Sequence, residues 1–231
     1  MKKGIIISIE GTDGAGKHTQ QNLLKEKLKT LGLKVFDQSF PNYESNSSAP
    51  VKMYLAGEFG ETASCLNAYE ASSLYAIDRL CTYKKSIKPH YDNGEIILLD
   101  RYVQSNFIHQ CSKIEDEKER EKYLTWVQEF EFDTLNLPRP DLVFFIEMPV
   151  QKSIELAKAR ETLKAGTQKD IHEADSSYMQ KSYNNGLNLA KKFGWTLIHC
   201  VDKNDNIKSI EQIHSEIMEI TIKFLNNQSN K

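Results

Sequence analysis

The chain opens with the stretch that decides its fold, Ile5-Ile6-Ile7-Ser8-Ile9-Glu10-Gly11-Thr12-Asp13-Gly14-Ala15-Gly16-Lys17. Its first five residues are mostly β-branched and almost continuously apolar, which is typical of a strand buried on both faces of a parallel sheet. A Gly-rich turn follows. From Lys17 the apolar spacing becomes helical, through Leu23, Leu24, Leu28 and Leu31, and Gly32 supplies a stop. The stretch therefore predicts a strand, a Gly-rich loop and a helix.

The same alternation continues along the chain. Short apolar runs predict further strands at residues 34–36, 96–99, 142–146 and 195–198. A helix is predicted over residues 63–86, with an apolar stripe of Leu66, Tyr69, Leu74 and Ile77, and a last helix follows from residue 210. This pattern predicts an α/β fold, a three-layer α/β/α sandwich with a five-stranded parallel sheet. Because there is no repeat or linker, we expect residues 1–231 to form one domain.

Composition excludes several classes of protein. The 231 residues are 39% hydrophobic and 27% charged with a net charge of -2, which argues against disorder and against a globally basic nucleic-acid-binding surface. Glu10 interrupts the first apolar run too early for a secretory signal, and no run is long enough to span a bilayer. We therefore expect a cytoplasmic protein that binds neither nucleic acid nor membrane. The scattered cysteines are expected to be free thiols.

Residues 11–17 match the phosphate-binding pattern G-x-x-x-x-G-K in its required context, between a buried strand and a helix. In such a loop the backbone N–H groups and the helix N-terminus bind phosphate, and the lysine reaches the β- and γ-phosphates. The alternative is a Gly-rich turn with an exposed lysine. The pattern favours an ATP-phosphate site made of Gly11, Thr12, Asp13, Gly14, Ala15, Gly16, Lys17, His18 and Thr19.

His18 departs from the motif. A Ser or Thr normally places a hydroxyl on Mg²⁺ at this position, and Thr19 lies about 100° further around the helix. Magnesium would then be held through water, Asp100 and the nucleotide phosphates. The departure also leaves open a protein that binds nucleotide without turning it over.

A second set of polar and aromatic residues follows the predicted strands and lies on the long helix. It comprises Phe40-Pro41-Asn42-Tyr43, Tyr75-Ala76-Ile77-Asp78-Arg79, Asp100-Arg101-Tyr102, Ser105-Asn106 and Leu137-Pro138-Arg139-Pro140-Asp141. With the phosphate loop, these motifs resemble the thymidylate kinase family over residues 4–201. The resemblance implies the fold of P-loop nucleoside monophosphate kinases, transfer of phosphate from ATP to dTMP with Mg²⁺, and a homodimer.

The resemblance also implies roles for single residues. Lys17, Arg101, Arg160 and Asp13 match catalytic positions, and Asp100 with Asp13 matches groups that hold the metal through water or nucleotide. Tyr75 is placed to stack on thymine, while Arg79 and Asn106 are placed to contact the edge of the base. The full set implied for dTMP is Asp13, Phe40, Tyr43, Tyr75, Arg79, Arg101, Ser105, Asn106, Gln110 and Glu173.

Residues 158–170 match a mobile lid in the family pattern, although a plain surface loop also fits their polar composition. Some thymidylate kinases carry an arginine within the phosphate loop, where this chain has Gly14, and others supply it from the lid. Arg160 matches the second type, unless it is only a helix-terminal charge. Glu173 is the less specific match, because with Asp170 it equally suits a helix cap.

Purely structural roles also fit several of the motif residues. Tyr75 lies on a stripe that suits core packing, Asp78 and Arg79 suit a surface pair, and Arg101 suits a structural ion pair with Asp100. The mixed charges of residues 115–122 predict the solvated face of a helix. Two other functions also stay open: another P-loop nucleoside or nucleotide kinase, and a non-catalytic nucleotide-binding regulator.

Overall fold

The computed structural model describes residues 3–161 and 176–229. Its strands are β1 (Ile5–Gly11), β2 (Val35–Ser39), β3 (Ile96–Asp100), β4 (Leu142–Glu147) and β5 (Thr196–His199). They form a five-stranded sheet in the order β2-β3-β1-β4-β5, and every neighbouring pair is parallel. The predicted sheet is confirmed.

Helices connect the strands. They are α1 (Lys17–Thr30), α2 (Ala49–Leu55), α3 (Ala68–Thr82), α4 (Lys88–Asp92), α5 (Val103–Ser105), α6 (Glu117–Gln128), α7 (Val150–Glu161), α8 (Ser176–Phe193) and α9 (Ile210–Ser229). Short 3₁₀ turns lie at Asn46–Ser48 and Cys111–Lys113, and π-helical turns lie at Tyr83–Ile87, Asn106–Gln110 and Glu129–Thr134. The turn Asn106–Gln110 contributes residues that border the site described below, and the turn Glu129–Thr134 lies behind them.

The two faces of the sheet carry separate apolar cores, because successive side chains of a strand point to opposite faces. One core joins Ile7 and Ile9 of β1 to Leu24 and Leu28 of α1, and α9 adds to it. The other joins Ile6 to side chains of the helical layer formed by α3, α6 and α8. The predicted three-layer arrangement is confirmed, and Ser8 and Glu10 share the face of Ile6.

The helix predicted over residues 63–86 differs from the observed α3. It begins at Ala68 because Asn67 caps it: the Asn67 side chain accepts from the Glu70 N–H, and the Glu70 carboxylate accepts from the Asn67 N–H. The predicted apolar stripe is also wrong, since Tyr69 and Ile77 are exposed. The inward face carries small and polar residues, Ala71, Ser72, Ala76, Asp78 and Arg79.

Other helix predictions hold in part. Leu24 and Leu28 of α1 are buried as expected, but Leu23 and Leu31 are exposed. The charged run lies on the solvated face of α6, as predicted. All four cysteines are free thiols. Within the part of the chain that is described, no helix combines the length and the apolar character needed to cross a membrane.

The carboxyl ends of the parallel strands meet at one edge of the sheet. The chain leaves β1 toward β2 on one side and leaves β3 toward β4 on the other, so the order reverses between β1 and β3. Ligands in open α/β sheets bind at such a switch point. The loops after Gly11 and Asp100 therefore stand at the expected place for a site.

Gly186 of α8 marks a close approach to the sheet, where an added Cβ would lie 2.4 Å from Cζ of the buried Phe145. We expect Gly186→Val to lower the free energy of unfolding by about 2 kcal/mol, because overpacking forces the core apart. Urea denaturation measures this loss. Asn188→Val, at an exposed position of the same helix, is the control and should change stability by less than about 0.5 kcal/mol. Equal losses in the two variants would contradict a clash at Phe145.

Candidate active site

The phosphate loop joins β1 to α1 through residues 11–17, and its backbone is suited to bind an anion. Gly16 is the N-cap of α1 with φ 86°, a left-handed conformation that glycine adopts without strain. The first N–H groups of an α-helix have no partner within the helix, and the helix dipole adds partial positive charge there. Lys17 and His18 lie in this first turn, and Thr19 follows.

Lys17 is already oriented across the loop. Its Nζ donates to the Thr12 carbonyl at 2.8 Å, and only 7% of the residue is exposed. Burial and, after it, the positive charge of the nearby Arg101 lower the pKa of Lys17 to about 8, although Asp13 and Asp100 act in the opposite direction. A phosphate bound near this amine would supply compensating negative charge.

Gly14 stands at the loop position where some family members have an arginine. Its φ is 77°, and a Cβ there would lie 3.1 Å from the carbonyl oxygen of Ser153 in α7. A larger residue would be strained in its backbone and crowded by α7. The loop therefore cannot easily carry a catalytic side chain at this position.

Arg101 begins the turn after β3 with φ 66°, which is uncommon for a residue other than glycine. Glu10, fully buried at the end of β1, holds this turn: its Oε1 accepts from the Tyr102 N–H at 2.7 Å and its Oε2 from the Ser105 hydroxyl at 2.6 Å. Burial raises the pKa of Glu10, although these hydrogen bonds act to lower it. The carboxylate thus couples the phosphate strand to the Arg101 turn.

The Arg101 guanidinium lies between the two halves of the site. It forms an ion pair with Asp13 of the phosphate loop, and its Nη1 donates to the Gly11 carbonyl at 3.3 Å and to His109 Nε2 at 2.9 Å. Since a guanidinium only donates, His109 accepts through Nε2. Burial lowers the pKa of Arg101, but the Asp13 and Asp100 carboxylates raise it more, so the group stays charged.

A cleft with about 510 Å³ of empty space, partly open to solvent, lies beside Arg101. Every predicted acceptor-site residue within the described ranges borders it, namely Asp13, Phe40, Tyr43, Tyr75, Arg79, Arg101, Ser105, Asn106 and Gln110. Pro41, Leu55 and His109 also border it and were not predicted. The cleft extends from the Arg101–Asp13 pair to the inward face of α3.

Arg79 and Asn106 form the buried end of the cleft. Arg79 is 2% exposed, and its Nε and Nη2 donate to Glu131 at 2.6 and 2.7 Å. The suggestion of a surface pair with Asp78 is wrong, because both residues are buried and Asp78 instead accepts from Asn42 and Ser47. Burial opposes the charge of Arg79, but Glu131 raises its pKa.

The aromatic residues lie on the sides of the cleft. Tyr75 is half-buried and makes an edge contact with Tyr54, with ring centroids 6.5 Å apart. Phe40 is buried beside Tyr102, and Tyr43 is 50% exposed. A flat apolar ligand could therefore pack against Tyr75 while its polar edge meets Arg79 and Asn106.

Asp100 fits the predicted metal role. It ends β3, its register partner is Ile9, and its Oδ1 is buried without a hydrogen-bond partner in the described structure. No cluster of three or more acidic, His or Cys residues suited to a metal occurs among residues 3–161 and 176–229. The donor set therefore fits a magnesium ion held mainly by nucleotide phosphates and water.

His18 lies over Asp100 on the solvent side. Its side chain is 71% exposed, and its Nδ1 is 3.7 Å from Asp100 Oδ2. Asn22 Nδ2 lies 3.0 Å from the other ring nitrogen and can only donate, so that nitrogen accepts and the N–H faces Asp100. The imidazole occupies the space beside the carboxylate without supplying a hydroxyl.

Some predicted site residues lie outside the described part of the chain. Glu173 and most of the predicted lid lie outside the described residues, and so does the side chain of Arg160, although its backbone belongs to α7. The alternative that Arg101 pairs structurally with Asp100 is replaced by a direct pair with Asp13.

Sequence reasoning missed Glu10, His109 and Glu131. Glu10 carried a usable signal, because an acid inside a strand buried on both faces needs partners. Glu131 lies between Phe130 and Phe132, and an acid flanked by aromatics carries the same signal more weakly. His109 carried none, since its contact with Arg101 exists only in the fold.

A phosphate loop on a parallel sheet of this order, with an acceptor cleft across the switch point, defines a P-loop nucleotide kinase. The sequence matches the family described as "Thymidylate kinase" over residues 9–217. The chain therefore belongs to the thymidylate kinase family, whose members are nucleoside monophosphate kinases.

Individual relatives support this family assignment. A protein named "Thymidylate kinase" from Mycobacterium tuberculosis (strain H37Rv) is 31% identical over 77% of this chain and 82% of its own length. A "Probable thymidylate kinase" from Pyrococcus horikoshii is 31% identical over 94% of this chain and 95% of its own. A "Thymidylate kinase" from Exiguobacterium sp. is 25% identical, with 96% of each chain covered.

The lowered pKa of Lys17 predicts that ATP binding near pH 8 takes up a proton. The phosphates raise the amine's pKa, so ATP affinity should fall as pH rises above about 8, by up to about tenfold per pH unit. Calorimetry in buffers of different ionisation enthalpy measures the uptake. Lys17→Arg, which stays charged, is the control and should remove this dependence. Equal uptake in both proteins would assign the proton to another group.

Proposed function

We propose that this protein transfers the γ-phosphoryl group of ATP to dTMP, forming dTDP and ADP. The main support for this proposal is the cleft beside the phosphate loop, which extends from the Arg101–Asp13 pair to the buried Arg79 and Asn106. Family membership and the named relatives support the choice of substrate.

The two nucleotides would meet at the edge of the sheet. ATP phosphates bind the N–H groups of the loop and Lys17, while the dTMP phosphate approaches Arg101 from the cleft. Asp13 reaches toward the sugar, and Phe40, Tyr43 and Ser105 surround the monophosphate. Such positioning removes much of the entropic barrier to a reaction between two bound ligands.

The base would lie against Tyr75, with its edge toward the buried polar groups. Arg79 still has N–H groups beyond those bound to Glu131, and these suit the O4 carbonyl of thymine. Asn106 donates through Nδ2 to Ser72 and Glu131, which leaves its Oδ1 to accept from thymine N3–H. Gln110 borders the same cleft and can support this edge.

Charge neutralisation would supply most of the rate enhancement. The nucleophile is a phosphate oxygen that is already anionic, so no general base is required. Lys17 and Arg101 place two largely buried cations near the transferring group. A bound Mg²⁺, oriented through water by Asp100 and Asp13, would supply further Lewis-acid stabilisation.

A third cation would come from the lid. Gly14 leaves the phosphate loop without a side chain at the position where an arginine would otherwise stand, and Ser153 crowds that position. We therefore assign to Arg160 the contact with the transferring phosphoryl, since its planar fork suits phosphate oxygens. Residues 158–170 would close over ATP as a lid, with Glu173 near the sugar or the metal.

We also propose a homodimer, as the family resemblance implies. Each chain would be a single kinase domain in the cytoplasm, as the sequence pattern predicts. The exposed apolar side chains of Tyr69 and Ile77 on α3 support a contact surface on this helix. The chemistry proposed for the site depends only on residues of one chain.

A substrate panel tests the function. Rates with ATP, Mg²⁺ and each of dTMP, dUMP, dCMP, dGMP and thymidine should show the highest kcat/KM for dTMP, because among the pyrimidines only thymine and uracil match the donor and acceptor at the buried end of the cleft. Coupled ADP release measures turnover. Preference for another acceptor would assign a different nucleotide kinase, and tight ATP binding without turnover would assign a regulator.

The metal role predicts opposite effects at two positions. Asp100→Asn should raise the Mg²⁺ concentration for half-maximal rate by about tenfold or more, because it removes charge from the carboxylate that orients the ion. His18→Ser should lower that concentration by restoring a hydroxyl. The measurement is a Mg²⁺ titration at saturating ATP. Unchanged Mg²⁺ dependence in Asp100→Asn would exclude this carboxylate from the metal site.

A further inference from the structure

Glu131 lies beneath the base end of the cleft and does not border it. It is 0% exposed, in the π turn that continues α6, and its carboxylate accepts three hydrogen bonds. Two come from Arg79, at 2.6 and 2.7 Å, and one comes from Asn106 Nδ2 at 2.8 Å. Both candidate base-reading residues are therefore held by the same carboxylate.

This arrangement fixes which way the Asn106 side-chain amide points. An ionised carboxylate only accepts, so the amide must turn its nitrogen toward Glu131. The second amide N–H is directed to the Ser72 carbonyl at 3.3 Å. The oxygen of the amide is then the atom left for a ligand, and an amide free to rotate would lack this selectivity.

Arg79 supplies the complementary group. Among the described residues its Nη1 makes one long contact, 3.5 Å to the Tyr102 carbonyl, and a guanidinium cannot accept hydrogen bonds. The buried end of the cleft therefore presents a donor beside an acceptor. Thymine and uracil offer the matching pair, O4 and N3–H, whereas cytosine offers the reverse, an amino donor at C4 and an acceptor at N3.

We propose that Glu131 is the positioning residue that makes this site reject cytosine nucleotides, by holding the Asn106 amide in one orientation and the Arg79 fork beside it. This inference rests on the proposed function and adds the residue that sets its pyrimidine choice. Rejection arises because a cytosine edge would place donor against donor and acceptor against acceptor in a buried site.

The test is Glu131→Gln in the full-length enzyme, with kcat and KM measured for dTMP and dCMP. A glutamine whose amide nitrogen takes the place of Oε1 can donate to the Asn106 oxygen, which lets the Asn106 amide turn its N–H groups toward the base. Arg79 then loses the acceptor of its Nη2 and keeps the one of its Nε. We expect the dCMP/dTMP ratio of kcat/KM to rise by about tenfold or more, mainly through a higher KM for dTMP.

Asp78→Asn is the matched control. Like Glu131, Asp78 is a buried carboxylate, but it lies on α3 and accepts hydrogen bonds from Asn42 and Ser47. Replacing it with asparagine removes the same charge as Glu131→Gln. The control should leave the dCMP/dTMP ratio unchanged even if it lowers stability. A similar rise in both variants would mean that lost charge alone relaxes the site, which overturns the inference.

The double variant Glu131→Gln with Asn106→Asp tests the same polarity without a net loss of charge. The introduced glutamine amide would donate to the introduced aspartate carboxylate, so the cleft again meets an acceptor beside Arg79. We expect dTMP preference to return, and a dCMP/dTMP ratio that stays high would overturn the inference. This variant keeps a carboxylate in the buried cluster, so it remains informative if Glu131→Gln does not fold.

The outcomes separate the two proposals. No turnover of dTMP by the unaltered enzyme overturns the proposed function and this inference with it. Normal turnover by the unaltered enzyme, with all substrates reduced equally in Glu131→Gln, overturns the inference alone, because a merely structural carboxylate lowers every rate without changing the choice of base.

Discussion

The buried carboxylate of Glu10 ties together the two loops on which the site depends. Glu10 is the last residue but one of β1, whose other face is aliphatic, and its carboxylate accepts from the Tyr102 N–H and the Ser105 hydroxyl across the switch point between β1 and β3. Those bonds hold the turn in which Arg101 adopts a left-handed backbone. The strain at Arg101 is thus offset by hydrogen bonds to a charge that has no access to water, and the guanidinium is fixed before a ligand arrives.

The same arrangement brings several charged side chains together at the site. Two cations, Lys17 and Arg101, lie close enough together that Arg101 lowers the pKa of Lys17. The carboxylates of Asp13, Asp100 and Glu10 compensate in part. Phosphate oxygens would add further negative charge, and Asp100, whose Oδ1 is buried without a hydrogen-bond partner in the described structure, would help to hold a magnesium ion through water. The charges of these side chains therefore favour anionic ligands together with a divalent cation.

Local signals predicted the strands, the phosphate loop and the order of the layers, because each depends on periodicity within about ten residues. The inward face of α3 was not predictable in this way. Its stripe of Tyr69 and Ile77 has helical spacing, yet these side chains are exposed, since the opposite face is needed to hold Arg79 and Asp78. Glu131 lies 52 residues from Arg79 in the sequence, so only the packing of α6 against α3 brings them together. The motif residues could be named from the family pattern, but their hydrogen-bond polarity could not.

The two buried carboxylates perform parallel tasks at opposite ends of the cleft. Glu10 orders the turn of Arg101 at the end beside the phosphate loop, and Glu131 orders Arg79 at the buried end. A buried ion pair contributes little net stability, since desolvation offsets most of the Coulomb energy, so stability alone does not explain the burial of Arg79 with Glu131. The pair is explained by the orientation that it gives to Arg79, because a guanidinium bound through two of its nitrogens can present its remaining N–H groups in one direction only. The specificity of the cleft then comes from groups that are fixed before a ligand binds.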